Sequence, residues 1–226
     1  MQGVAQRTWS IPRIGKELLG DRWHPSLLSY LYPSLTLRSK VAVSLIFVLL
    51  LTGLGQARFY LPDNTVPITL QTFGVLITGG ILGWRWGFLS IIMWYLLGIA
   101  GLPMFQGGGS GWAYVSGGVS DPETGARYLT GGYLLGFMLA TWMVGILSQR
   151  GWTHSRVLWP MLLSNLMIYL PGLLFLAIFS NAITLSNMFG IGMYPFIPGD
   201  LVKIMGASIL TGALWKYADH RSDRRH

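Results

Sequence analysis

The chain has 226 residues, of which 52% are hydrophobic and only 11% are charged, and it contains no cysteine. A soluble domain typically carries about 25% charged residues, so this composition excludes a water-soluble globule, and the apolar content excludes a disordered chain. The lack of cysteine excludes disulfide scaffolds, cysteine-ligated metal sites and thiol nucleophiles.

The first 38 residues are basic and precede the first long apolar run. Within them Ile14, Leu18, Leu19 and Trp23 recur at roughly helical spacing. We expect a cytoplasmic extension with an amphipathic helix lying on the inner leaflet. A signal peptide is not expected, because the apolar run begins only after about 40 residues. The predicted organisation is a basic extension (1–38), a transmembrane domain (39–217) and a basic cytoplasmic tail (218–226).

Six stretches approach the roughly 20 apolar residues that a helix needs to cross a bilayer. They cover residues 41–60, 68–82, 87–102, 129–147, 158–179 and 198–217. The second and third are short and are separated by Trp84-Arg85-Trp86, which is typical of a turn at the membrane interface. A single re-entrant hairpin is the alternative for these two. The sequence therefore predicts an all-α integral membrane protein, a bundle of six transmembrane helices.

The distribution of Lys and Arg predicts the orientation of the spans. With the N-terminus inside, 13 of the 16 basic residues lie in cytoplasmic segments, whereas the outside loops hold only Arg58 and Arg127. The positive-inside rule then places both termini in the cytoplasm, and we expect a multi-pass protein of the cell inner (plasma) membrane. The net charge of +8 is explained by this topology, so we do not expect nucleic acid as a partner.

Two ionisable residues, Asp200 and Lys203, lie inside the sixth span. Pro198 suits the first helical position, so Asp200 falls in the first turn, where the helix dipole favours a carboxylate. Lys203 follows three residues later on the same face. Ionisable residues within spans are functional candidates, and we predict that both bind substrate. The alternatives are a purely structural ion pair, or a lysine that reaches along the helix surface.

The loop from Phe105 to Tyr133 is long and rich in glycine and aromatic residues. Glycine allows backbone amides to approach a small polar molecule closely, and loops this long tend to be functional or disordered. We predict a lid whose contacts with substrate come from Gly109, Ser110, Trp112 and Tyr133. A flexible loop without function is the alternative.

Polar residues within other spans are weaker candidates. Gln71 opens the second span and is predicted to contact substrate, although an amide in a span often bonds a neighbouring helix instead. Asn165 and Tyr169 in the fifth span are candidates of lower rank.

Enzymatic motifs are not supported. The string from Gly108 to Gly111 matches the GxSG of intramembrane serine proteases, but that chemistry needs a nearby base. All four histidines fall in segments predicted to be cytoplasmic, across the bilayer from Ser110. The chain has no P-loop and no cluster of metal ligands. We therefore predict a protein that is not an enzyme and uses no cofactor.

Four strings carry a resemblance to a known family. In chain order they are PITLQTFGVLITGGILGWRWG, GLPMFQGGGSGWA, TGGYLLGF and PFIPGDLVK. They resemble the BioY family, the biotin-binding S components of energy-coupling factor (ECF) transporters. The resemblance implies a six-helix bundle that captures biotin near the outer face and mediates its uptake. It also implies ATPase subunits and a transmembrane coupling subunit as partners.

Carried over to this sequence, the PGDxxK motif falls on Asp200 and Lys203. A carboxylate could accept the ureido N–H groups of biotin, and a lysine could bind its valerate carboxylate. Three departures from the family pattern stand out. The polar Ser110 is displaced by one position, Leu129 replaces a proline, and the first span lacks a small-residue docking patch. Two alternatives stay open: another small carboxylated vitamin or precursor as substrate, or a membrane scaffold or sensor that transports nothing.

Overall fold

The computed structural model describes residues 23–59, 67–120, 129–180 and 187–224. Its longer helices are α2 (Leu37–Gln56), α3 (Gln71–Ile99), α5 (Gly131–Gln149), α7 (Leu158–Phe179) and α9 (Ile197–Asp223). The shorter ones are α1 (Leu27–Leu31), α4 (Gly111–Ser116), α6 (Trp152–Ser155) and α8 (Met188–Gly192). There are also 3₁₀ turns at Gln106–Gly108 and Tyr194–Phe196, and a two-residue antiparallel pairing of β1 (Arg58–Phe59) with β2 (Ile68–Thr69).

The helices confirm the predicted all-α membrane architecture. Within the described residues, five helical segments are long and apolar enough to cross a bilayer: 37–56, 71–99, 131–149, 158–179 and 188–223. The prediction of six separate spans is not confirmed by this number, because the second and third predicted spans fall in the single element α3.

Helix α3 is interrupted at Gly83, whose φ of 76° and ψ of 178° are not helical. This conformation is open almost only to glycine. A Cβ built on Gly87 would lie 3.0 Å from Cα of Gly79 and 3.3 Å from the carbonyl oxygen of Thr78. Eight residues of a continuous helix would separate these positions by about 12 Å. The two halves of α3 therefore fold back on each other at Gly83.

Glycines let α3, α5 and α7 approach closely. A Cβ on Gly79 would overlap the backbone of α5 at Thr141, and one on Gly136 would overlap the backbone of α7 at Ile168. Helices in membranes usually pack through small residues, because lipid is as apolar as the side chains and the hydrophobic effect does not drive helices together there. By contrast, α2 lies at the periphery and exposes apolar side chains such as Leu45 and Leu49, as expected of a helix that faces lipid.

The segment before α2 covers the end of the bundle at the Gly83 break. The amide of His24 donates to the carbonyl of Gln149 at 2.8 Å, and Leu27 is fully buried against Trp215 of α9. The phenol of Tyr30 donates to Asp219 at 3.4 Å, and burial raises its pKa. The predicted amphipathic helix is outside the described residues at Ile14, Leu18 and Leu19, and Trp23 precedes α1 without being helical.

A polar cavity at the head of α9

A cavity lies at the opposite end of the bundle, where α9 begins. Apolar and aromatic walls come from Ile68, Tyr133, Leu134, Phe137, Ile168 and Phe196. Polar groups come from Gln71, Thr72, Gln106, Thr130, Tyr169, Asp200 and Lys203. A largely apolar cleft with a few convergent polar groups is the usual form of a small-molecule site.

Asp200 and Lys203 form a buried ion pair in this cavity. The Nζ atom of Lys203 donates to Oδ1 of Asp200 at 2.9 Å, and both side chains are only 8% exposed. Pro198 stands in the first turn of α9, and Asp200 is the acidic residue of that turn, as the sequence predicts. The helix dipole and the lysine together compensate the buried carboxylate.

The carboxylate of Asp200 also collects donors from two other helices. Its Oδ2 atom accepts from the hydroxyl of Tyr169 at 2.6 Å and from Nδ2 of Asn165 at 2.9 Å, both on α7. The hydroxyl of Thr72 on α3 reaches Oδ1 at 3.5 Å. Asp200 therefore ties α3, α7 and α9 together at the cavity. Asn165 and Tyr169, ranked low from sequence, belong to this network.

Several buried polar atoms of the cavity have no hydrogen-bond partner among the described residues. They are Nε2 of Gln71, Nε2 of Gln106 and Oγ1 of Thr130. Oδ1 of Asn165, whose Nδ2 atom donates to Asp200, is also unpartnered. Each side chain is at most 5% exposed. An unpartnered buried polar group costs about 1–3 kcal/mol, and such groups in folded proteins call for an explanation such as a ligand.

Gln106 and Thr130 were not predicted from the sequence. Gln106 lies in the 3₁₀ turn before α4, and Thr130 directly precedes α5. The sequence signal that could have pointed to these two residues is their position beside the glycine runs in the strings FQGGG and TGGY. Only the fold brings the two strings to one cavity.

The other predicted site residues divide into two groups. Gln71 lines the cavity, and its amide occupies the space that Gly55 of α2 leaves free, because a Cβ on Gly55 would overlap it. Tyr133 also lines the cavity, and its hydroxyl donates to the carbonyl of Gly192 at 2.6 Å.

Gly109, Ser110 and Trp112 do not line the cavity. A Cβ on Gly109 would overlap the ring of Tyr114, so this glycine makes room for the loop's own packing. Ser110 precedes α4 without capping it by a side-chain hydrogen bond, and Trp112 is 64% exposed. Part of the predicted lid thus forms the helix α4. Residues 121–128 of the predicted lid lie outside the described part of the chain.

Within the described ranges, no group of three or more His, Asp or Glu side chains could hold a metal ion. His154 pairs with Asp219 at 3.0 Å, but this pair lies at the other end of α9 from the cavity. The polar side chains that line the cavity can bind a ligand through hydrogen bonds and charge pairing.

Comparison with known proteins identifies the family. The model of the BioY family matches residues 32–220. The chain belongs to the BioY family. The match begins after α1 and covers α2, α3, α5 and α7 in full, α9 as far as residue 220, and every residue of the cavity.

Individual BioY proteins agree with this assignment. "Probable biotin transporter BioY" of Pyrococcus horikoshii is 36% identical over 77% of this chain and 95% of its own length. "Biotin transporter BioY" of Thermotoga maritima is 28% identical over 80% of this chain and 97% of its own length. Both relatives are transporters by name. BioY membership therefore confirms that this chain is a multi-pass membrane protein and not an enzyme.

A solved structure shares the fold. A crystal structure at 2.1 Å of the S component for biotin from an ECF-type ABC transporter superposes with a TM-score of 0.67. It covers 81% of this chain and 95% of its own, at 24% identity. This likeness supports the arrangement of helices in the BioY chain described above.

Proposed function

We propose that this chain is the membrane subunit that binds biotin from the outside and mediates its uptake. The BioY relatives named above are biotin transporters. The observation that carries the proposal is the buried pair of Asp200 and Lys203 in a cavity with aromatic walls. Biotin combines a ureido group and a carboxylate with an apolar ring and chain, so it matches a site of this composition.

Four of the residues proposed to contact biotin line the cavity. Lys203 supplies a positive charge, Asp200 a carboxylate, and Gln71 an amide, while Tyr133 supplies an aromatic face. Gly109, Ser110 and Trp112 remain predicted contacts, and their loop carries Gln106 into the cavity wall.

The proposal includes six membrane crossings with both termini in the cytoplasm. It is supported by the reversal of α3 at Gly83 and by the position of Arg85 just after that reversal. In this topology the cavity faces outward and α1 faces the cytoplasm. The basic extension (1–38) and the tail (218–226) then lie on the cytoplasmic side of the inner membrane.

The proposal also includes partners. The structural neighbour is a component of an ECF-type ABC transporter, which supports ATPase subunits and a transmembrane coupling subunit as the partners of this chain. The coupling subunit would have to dock without the small-residue patch that the first span lacks.

Two measurements test this function. Calorimetric titration of the detergent-purified chain with biotin should give saturable one-site binding, whereas thiamine and riboflavin should give none. Cells that express the chain with the ATPase and coupling subunits should accumulate labelled biotin faster than cells lacking the chain. Failure of biotin to bind the purified chain would overturn the proposal.

A further inference from the structure

A second cleft lies at the opposite end of α9, between that end and the segment that contains α1. Its volume is about 500 Å³, within the range of about 300–1,000 Å³ that is usual for small-molecule sites. It shares no lining residue with the cavity at the head of α9. Its walls include Ser29, Tyr30 and Pro33 on one side and Ala218, Arg221 and Ser222 on the other.

Arg221 places a positive charge in this cleft. Its guanidinium lies 5.0 Å from the centre of the Tyr32 ring. A guanidinium stacked on a ring still presents its N–H groups in its own plane, which is the geometry that binds a phosphate. The hydroxyl of Ser29 accepts from Ser26 at 3.1 Å, so its own proton can be donated to another acceptor. One wall of the cleft can therefore bind a phosphate.

Two carboxylates lie beside the same cleft. The phenol of Tyr30, which lines it, donates to Asp219 at 3.4 Å. Burial, and after it the charges of Asp219 and Asp223, raise the pKa of this phenol. Each carboxylate is two residues from Arg221, or about 3 Å along the helix axis. The cleft thus combines a cation with acidic groups a short distance away.

An apolar stripe on α9 leads to Arg221. Leu210, Leu214 and Tyr217 precede it at intervals of four, three and four residues, so all of them lie on one face of the helix. Leu210 is 37% exposed and Tyr217 is 57% exposed. An exposed tyrosine next to a basic residue is typical of the membrane interface. An acyl chain can lie along this stripe while its headgroup enters the cleft.

The charges select among the common phospholipid headgroups. Phosphatidylglycerol has a phosphate for Arg221, but it has no cation for the two carboxylates, which repel its net negative charge. The quaternary ammonium of phosphatidylcholine has no N–H group to donate. Phosphatidylethanolamine has both a phosphate and a primary ammonium, joined by two carbon atoms, and so matches the cation and the acidic groups together.

We propose that this cleft binds a phosphatidylethanolamine molecule, with its phosphate on Arg221 and its ammonium on the side of Asp219 and Asp223. The bound lipid bridges α1 and α9. The proposal does not depend on which molecule the chain transports, so its failure would leave the proposed function untouched.

Native mass spectrometry of the full-length chain, purified in detergent and stripped of lipid, tests the choice of headgroup. The chain is titrated with phosphatidylethanolamine, phosphatidylcholine and phosphatidylglycerol that carry identical acyl chains. Phosphatidylethanolamine should bind about tenfold more tightly than either of the others, since it alone gains a hydrogen bond between charged groups at the carboxylates. Soluble phosphoethanolamine, which lacks the chains that contact the stripe, should show no measurable binding.

Two variants test the two ends of the headgroup. Arg221→Gln should weaken phosphatidylethanolamine and phosphatidylcholine alike by about tenfold, because both lose the contact with phosphate. Arg221→Lys keeps the charge and should recover part of that loss. Asp223→Asn should weaken phosphatidylethanolamine alone. Asp223 is preferred to Asp219 for this test because Asp219 also bonds Tyr30 and His154.

The matched control is Arg224→Gln, which removes the same charge from an exposed residue that does not line the cleft. It should leave lipid binding unchanged. Equal effects of Arg221→Gln and Arg224→Gln would overturn the proposal, because the attraction would then be one of overall charge. Phosphatidylglycerol binding as tightly as phosphatidylethanolamine would also overturn it. Binding of free phosphoethanolamine as tight as that of the lipid would overturn the assignment to a lipid.

Discussion

The hydroxyl of Tyr169 on α7 donates a 2.6 Å hydrogen bond to Oδ2 of Asp200 on α9. Asp200 in turn accepts from Lys203 through its other oxygen. Tyr169 therefore fixes the orientation of the carboxylate, and through it the position of the ammonium. In the proposed site it is a positioning residue, because its own hydroxyl is already engaged with Asp200.

Tyr169→Phe should weaken biotin binding about tenfold, because a hydrogen bond to a charged group is worth about 1.5–3 kcal/mol. Calorimetric titration measures the affinity. The matched control is Tyr95→Phe, a buried tyrosine of α3 outside the cavity lining, which should leave affinity unchanged. Equal affinity of Tyr169→Phe and the unaltered chain would show that biotin binding does not depend on the hydrogen bond from the Tyr169 hydroxyl to Asp200.

The ion pair predicts a characteristic pattern of stability. Asp200→Asn leaves the Lys203 ammonium buried without its counter-charge, and loss of one partner of a buried pair typically costs about 3–5 kcal/mol. Lys203→Met should also destabilise the chain, because it strands the carboxylate, and it should weaken biotin binding by ten- to a hundredfold, at about 1.5–3 kcal/mol.

The double variant Asp200→Asn with Lys203→Met separates structure from function. It removes both charges, so the melting temperature should recover relative to the single variants, whereas biotin binding should stay weak. A double variant that is stable and binds biotin with full affinity would identify the pair as purely structural.

Much of the fold follows from local features of the sequence. Span 158–179 agrees with α7 at both ends, and span 198–217 begins within one residue of α9, because long apolar runs in lipid have few alternatives to a helix. The i, i+3 contact of Asp200 with Lys203 was predictable for the same reason, since helix geometry alone brings the two together.

The rest depends on contacts between distant parts of the chain. No local feature of the sequence indicates that Asn165 and Tyr169 face Asp200. Nor does one indicate that Gln106 and Thr130 line the same cavity. Both arrangements depend on how glycines let α5 and α7 pack. The five-residue helix α1 carries too short a pattern to be predicted, and its contacts are with distant residues, since Leu27 is buried against Trp215.

The reversal of α3 depends on glycine at position 83. Its backbone conformation is strained for any other residue, and a Cβ there would lie 2.7 Å from Oε1 of Gln149 and 2.9 Å from Cβ of Ser26. Gly83→Ala should therefore lower the free energy of unfolding by about 1–3 kcal/mol, seen as a lower melting temperature in detergent.

Gly53→Ala is the control, because a Cβ at this helical position in α2 meets no atom within 4 Å. It should be neutral or slightly stabilising, and an equal loss in both variants would contradict the role of Gly83.

The proposed topology can be mapped with single cysteines, because the chain has none of its own. Three exposed positions report on different segments: Ser120 before α5, Arg85 after the Gly83 break, and Asp223 at the end of α9. A membrane-impermeant maleimide applied to intact cells should label Ser120→Cys and leave Asp223→Cys unlabelled until the cells are permeabilised.

Arg85→Cys discriminates between six crossings and the alternatives for α3. If both halves of α3 cross the bilayer, Arg85→Cys should be labelled only after permeabilisation, as Asp223→Cys is. The reversal then lies on the cytoplasmic side, where position 85 is in contact with water. If the halves form a re-entrant hairpin, position 85 stays within the membrane, where no water hydrates a thiol, and permeabilisation does not expose it to the reagent. Labelling of Arg85→Cys in intact cells would instead place the reversal outside and would contradict the outward-facing cavity.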